Sequence, residues 1–138
     1  MSANKPVLII SGSESDRPVV EKATGVLDEA GVAYDYVVAS AHRDPDRVAE
    51  LAKGAAGKGY QVVIAAAGLA AALPGVVAAH TALPVIGLPI AAGPLNGVDA
   101  LLAIVQLPSG VPVATVGIDN GKNAAHLALR ILGRASAK

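Results

Sequence analysis

Three short stretches of this 138-residue chain carry groups that can do chemistry together. The first is Ser11-Gly12-Ser13-Glu14-Ser15-Asp16. Gly12 lets the backbone turn, Ser13 and Ser15 offer hydroxyls, and a helix start just beyond offers free N–H groups. Those are the parts of a phosphate cradle. Asp16 repels phosphate, so it suits a helix cap or sugar hydroxyls. The same Ser/Gly/Asp pattern is also ordinary capping chemistry. The second stretch is Ser40-Ala41-His42-Arg43-Asp44-Pro45. Arg43 can grip phosphate or carboxylate with a forked pair of donors, and His42 can give or take a proton. The alternative is a surface Arg–Asp pair beside an exposed histidine. The third stretch, Ala65 to Gly75, has no polar side chain. It can act only through backbone amides and the close approach that small residues allow. As structure it is a tight strand-to-helix turn packed on a neighbour, and as function a wall with N–H donors.

The remaining histidines read as surface or interface residues: His80 at the far end of a short helix, His126 inside the last helix. His42 has no second histidine or carboxylate at ligand spacing, which argues against a zinc site. No serine sits on a nucleophile elbow, so a Ser-His-Asp hydrolase is not indicated.

These stretches need elements to hold them, and a strand–helix alternation supplies them. Val7 to Ile10 is a short β-branched run, followed by a helix from about Arg17 to Ala30 with Val19, Ala23, Val26, Leu27 and Ala30 at helical spacing. Tyr34 to Ala39 is a second strand. Asp44-Pro45 then supplies an N-cap and a first-turn proline for a second helix. Gln61 to Ala67 is a third strand, apolar on both faces, and Leu73 to His80 a third helix. Val85 to Leu88 is a fourth strand ending at Pro89, with a helix over Gly97 to Val105. Val111 to Gly117 is a fifth strand and Asn120 to Leu132 a last helix. Such a pattern predicts an α/β fold: a flavodoxin-like, three-layer, doubly wound parallel sheet of about five strands in the order 2-1-3-4-5. Residues 1–138 read as one domain, and ligands in such folds bind beyond the carboxyl ends of the strands.

Composition narrows the function classes. Eleven basic and eleven acidic residues leave a net charge of zero, which removes the broad attraction that nucleic acid or an anionic membrane needs. A hydrophobic content of 53% against 16% charged excludes disorder. Aromatics are 2%, all tyrosine, so base stacking has almost nothing to use. There is no cysteine, hence no disulfide framework. Residues 1–58 hold sixteen of the twenty-two charges and residues 59–98 hold none. Pro74, Pro84, Pro89 and Pro94 interrupt that uncharged stretch, so no span of about 20 apolar residues remains. The polar start, Met1 to Pro6, is not a signal peptide, and a soluble cytoplasmic protein is expected. So much uncharged surface exceeds what one chain can bury, so further copies of the chain should cover it. The helices near 73–80 and 97–105 are the expected contacts.

Gly12-Ser13-Glu14-Ser15-Asp16, Ser40-Ala41-His42-Arg43-x-Pro45, Ala67-Gly68 with Leu73-Pro74-Gly75, Leu83-Pro84-Val85-Ile86-Gly87-x-Pro89, the run from Ile104 to Thr115, and Asn123-Ala124-Ala125 together resemble the PurE family of purine biosynthesis. The likeness runs from about Val7 to Leu132. It implies a flavodoxin-like subunit in a homo-octamer, a ribonucleotide substrate, and no metal or organic cofactor. It also implies interconversion of N5-carboxyaminoimidazole ribonucleotide and 4-carboxyaminoimidazole ribonucleotide, the Ser-Ala-His-Arg sequence resembling the mutase class. Carried over, His42 is the general acid/base. Gly12, Ser13, Ser15, Asp16, Ser40, Arg43, Gly68 and Leu73 bind substrate.

Three departures accompany the resemblance. The mutase class usually has a histidine where this chain has Ala72. Arg17 stands where tryptophan often follows Ser-Asp. The chain also stops at Lys138, whereas many bacterial members have a further helix that embraces a neighbour, so a weaker octamer or another assembly is expected. The alternatives to a mutase, one impaired by Ala72, are therefore a catalytically weak or inactive oligomer on the same scaffold, a direct aminoimidazole ribonucleotide carboxylase, and a carboxylase like LarB of nickel-pincer cofactor synthesis, which Ile118-Asp119-Asn120-Gly121 resembles.

Overall fold

The apolar runs Val7–Ser11 (β1) and Val62–Gly68 (β3) form the centre of a parallel sheet with Tyr34–Val38 (β2), Val85–Ile90 (β4) and Ala114–Thr115 (β5). In this computed structural model, which describes residues 4–136, the strand order is β2-β1-β3-β4-β5. Met1–Ala3, part of the polar start read above, and Ala137 and Lys138 lie outside the described residues. The helices are Arg17–Glu29 (α1), Pro45–Ala55 (α2), Leu73–His80 (α3), Val98–Val105 (α4) and Gly121–Ile131 (α5).

Period-two alternation in the central strands builds a core on each face of the sheet. Val7, Ile9, Val62, Ile64 and Ala66 point to one side, where Val20, Ala23 and Leu27 of α1 and Ala124, Ala125 and Ala128 of α5 cover them. Leu8, Ile10, Val63, Ala65 and Ala67 point to the other, under Val48 and Ala52 of α2, Leu73 and Val77 of α3, and Ala100 and Ile104 of α4. This is the three-layer arrangement that the pattern predicted.

The registers align the carboxyl ends of the strands. Ser11 pairs with Val38 and with Ala66, and Gly68 pairs with Ile90. The loops after β1, β2, β3 and β4 therefore leave from one edge. The chain departs from β1 to β2 on one side and later returns to β3 on the other, so a crevice opens between β1 and β3 at that edge.

Three expectations are corrected. β4 does not end at Pro89 but runs through it to Ile90. The Pro89 carbonyl accepts from Asp119 N–H rather than from a strand partner. The nitrogen faces the same side, beyond the end of β5, so its missing N–H breaks no ladder bond. The fifth strand is two residues, Ala114–Thr115, instead of Val111 to Gly117. It is an edge strand that pairs only with Ile86 and Gly87, and Pro112 precedes the ladder. Asp44 stands at the cap position of α2, but its side chain makes no capping bond. The loop is closed instead by Ser40, whose Oγ accepts from Arg43 N–H at 3.2 Å and whose carbonyl accepts from Asp44 N–H at 2.9 Å.

Candidate active site

At the carboxyl edge of the sheet the loops enclose a cleft of about 410 Å3. Gly12, Ser13, Ser15 and Asp16 form one side, and Ser40, Ala41, His42 and Arg43 a second. Ala67 to Leu73 form the third, and Ala92, from the loop after β4, completes it. All nine residues singled out from the sequence, Gly12, Ser13, Ser15, Asp16, Ser40, His42, Arg43, Gly68 and Leu73, border this one space.

The serine turn is held by its own side chains. Ser13 and Asp16 make a reciprocal capping box around the 3-10 turn Glu14–Asp16. Ser13 N–H donates to Asp16 Oδ2 at 3.1 Å, and Ser13 Oγ accepts from Ser15 N–H at 3.3 Å. The Ser13 and Ser15 hydroxyls lie 2.8 Å apart, so one of their protons remains for a ligand. Gly12 N–H donates to Ala66 O at 3.0 Å, which ties the turn to β3. Asp16 is only 5% exposed. Burial pushes its carboxyl above the usual range, opposed by the bond from Ser13 N–H and helped by the negative charge of Asp119.

A support beneath this turn was not legible as chemistry. Ser11 is fully buried; its Oγ donates to Ser13 O at 3.2 Å and lies 2.6 Å from the Tyr36 hydroxyl. A hydroxyl has one proton, so Tyr36 is the donor in that second bond. The Arg17 guanidinium stands 4.8 Å above the Tyr36 ring and pairs with Glu14. Arg17 therefore braces the turn from outside. The only available signal was the position of Ser11 at a strand end, which a core reading explains as well.

His42 and Arg43 are exposed at the mouth, where a ligand can reach both. Opposite them, the third loop is apolar as expected, but fewer of its amides are available. Ala71 N–H donates to Leu69 O at 2.9 Å and Ala72 N–H to Ala70 O at 2.8 Å. Gly68 is a tight fit: a Cβ there would lie 3.1 Å from Ala92 Cβ and 3.2 Å from Ile90 O, so either neighbour would have to give by a few tenths of an ångström. Ala72 caps α3 at the rim, half-buried. Leu73 is 2% exposed and closes the floor. Ala92 lies in the loop after β4, beyond the three loops whose residue types signal chemistry, and an alanine there carries no signal in the sequence. Among the described residues no aromatic ring lines the cleft, and no group of three or more His, Cys, Asp or Glu side chains is placed to hold a metal ion.

His80 is half-buried, with Nδ1 2.9 Å from Val76 O. His126 is exposed and borders a separate groove between α1 and α5. Neither approaches the cleft.

The chain matches the AIR carboxylase family model over residues 6–138. It belongs to the AIR carboxylase family. Within it, the N5-carboxyaminoimidazole ribonucleotide mutase of Pyrococcus horikoshii is 58% identical over 134 residues, covering 96% of this chain and 76% of that protein. The mutase of the same name from Thermotoga maritima is 56% identical over 125 residues, 91% of this chain and 73% of the relative. The phosphoribosylaminoimidazole carboxylase of Saccharomyces cerevisiae is 53% identical over 130 residues, 94% of this chain but 23% of that longer protein. Among solved structures, Treponema denticola PurE superposes with a TM-score of 0.83 at 32% identity, covering 92% of this chain and 79% of that one.

Proposed function

We propose that this chain is a mutase that interconverts N5-carboxyaminoimidazole ribonucleotide and 4-carboxyaminoimidazole ribonucleotide in purine biosynthesis, as one domain over residues 1–138. The observation that carries the mechanism is the shared cleft, where a serine-rich turn, an arginine and a histidine face a wall of small apolar residues.

The residues divide by chemistry. Ser13 and Ser15, on the turn that Gly12 ties to β3, offer hydroxyls to the ribotide phosphate, with Ser40 and Arg43 closing on it from the second loop. Asp16 accepts from ribose hydroxyls, which a buried carboxylate does better than it tolerates phosphate. His42 handles the proton. It protonates the substrate as the N–CO2 bond of the carbamate breaks and carbon dioxide is released into the cleft. C4 of the aminoimidazole then attacks that carbon dioxide, a C–C bond forms, and the C4 proton returns to His42. Gly68, Leu73 and the alanines of the third loop hold the gas against an apolar wall and keep water from it.

The test is to add 4-carboxyaminoimidazole ribonucleotide and follow its ultraviolet absorbance. Turnover that His42→Asn abolishes supports the reading. A folded protein with no turnover overturns it in favour of a non-catalytic oligomer on the same scaffold. Ala72 favours that second reading, because it leaves the lip of the third loop without a second imidazole. On the mutase reading, Ala72→His raises turnover; unchanged rates would remove the significance given to that position.

The protein acts as a homo-oligomer, an octamer on the family resemblance, in the cytoplasm where its ribonucleotide substrate is found. One observation supports the assembly. Leu95, Val98, Leu102 and Val105 form an apolar stripe, each at least half exposed on this chain. Among the described residues, no helix is long and apolar enough to cross a membrane.

A further inference from the structure

Asp119 follows β5 at the same edge as the cleft, yet does not line it. Its backbone is left-handed, with φ 58°, a conformation that Asp and Asn tolerate better than other residues with a Cβ. From that position it makes two bonds to the chain leaving β4. Its N–H donates to Pro89 O at 2.8 Å, and its Oδ1 accepts from Ala91 N–H at 2.8 Å. The other end of that loop is seated beside it. Gly97 has φ 87°, and a Cβ there would stand 2.5 Å from Ile118 Cγ2 and 3.1 Å from Ala91 Cα. The loop in turn covers the third-loop wall. Ala92 lies against Gly68, and a Cβ on Gly93 would stand 2.7 Å from Leu69 Cδ2.

We propose that Asp119 is a positioning residue: its clasp on Pro89 and Ala91 holds Ala92 against the Gly68–Leu69 turn and so closes the apolar wall of the cleft. The consequence for turnover rests on the function proposed above. Carbon dioxide freed from the carbamate stays only while that wall is shut. With the clasp open it escapes, and aminoimidazole ribonucleotide, carrying the proton from His42, is left as product.

The carboxylate of Asp119 also acts on Asp16 through its charge, so the test must separate charge from clasp. Asp119→Asn keeps a carbonyl acceptor and tolerance of the left-handed backbone but removes the charge. Asp119→Gly keeps the backbone and removes the acceptor, without the steric penalty that alanine adds. Two readouts apply: hydrogen–deuterium exchange resolved to the Ala91 amide in the free protein, and the share of N5-carboxyaminoimidazole ribonucleotide converted to aminoimidazole ribonucleotide. Asp119→Gly should speed Ala91 exchange about tenfold, the loss of one hydrogen bond, and raise the leaked share severalfold. Asp119→Asn should stay near the parent in both. Unchanged Ala91 exchange in Asp119→Gly overturns the clasp, as does an Asn variant that leaks like the Gly variant. If the parent turns over neither ribonucleotide, the functional reading fails, and exchange at Ala91 still decides the clasp by itself.

Discussion

Asp16 serves two purposes that pull against each other. As the third residue of a capping box it accepts from Ser13 N–H, which any side-chain carbonyl can do. As a nearly buried carboxylate it is held above its ordinary pKa, first by burial. The sign follows from linkage. A carboxyl whose folded pKa is raised carries no penalty where it is protonated in both states. As pH rises through the ordinary carboxylate value and on past the raised one, the unfolded state ionises more readily and folding stability falls. Asp16→Asn should therefore unfold at higher denaturant than the parent at pH 7 and show no such gain at pH 3. It should also bind the ribonucleotide more weakly, because an amide replaces the acceptor for ribose hydroxyls. Equal stabilisation at both pH values would show that ionisation is not the cause. Residue-level reading of the sequence placed Asp16 as cap or sugar ligand, and the capping half is what the geometry displays. The Ser11–Tyr36 support was invisible because it joins residues 25 apart in sequence.

Among the elements, the contact between α1 and α5 depends on one missing side chain. Gly121 starts α5 against the backbone of α1, where an added Cβ would lie 2.3 Å from Val19 O and 3.2 Å from Ala23 N. Backbone cannot give way as a flexible side chain can. Gly121→Ala should cost about 1–3 kcal/mol by overpacking, despite the better helix propensity of alanine, and urea unfolding measures it. A variant as stable as the parent would mean that α5 can shift without loss. The helices and central strands were legible because their periodicity is local. β5 was not: its apolar run Val111 to Gly117 looks like a full strand, but a strand extends only as far as a neighbour pairs with it. Here that neighbour is β4 over Ile86 and Gly87 alone.

For the molecule as a whole, charge and hydropathy are divided between regions. The uncharged residues 59–98 supply β3, α3 and β4, and much of that stretch is buried within the chain itself. Leu69, Leu95 and Val98 of that stretch stay exposed, and Leu95 and Val98 continue into the outer face of α4, where Val98, Leu102 and Val105 recur at helical spacing. If copies of the chain cover this stripe, light scattering gives a multiple of the 13.6 kDa subunit mass, and Leu102→Glu shifts it to smaller species by placing a charge in an apolar contact. A parent protein that scatters as a monomer would remove the assembly proposed here.

By itself the sequence determined the alternation of strands and helices, the two-faced core and the loops that carry the hydroxyls, the guanidinium and the imidazole. These follow from periodicity and turn chemistry within a few residues of each position. Only the tertiary structure decided that those loops share one cleft, that Ala92 closes it, and that Asp119 reaches Ala91, 28 residues away. Such contacts depend on the registers and packing of whole elements, which no local window of residues contains.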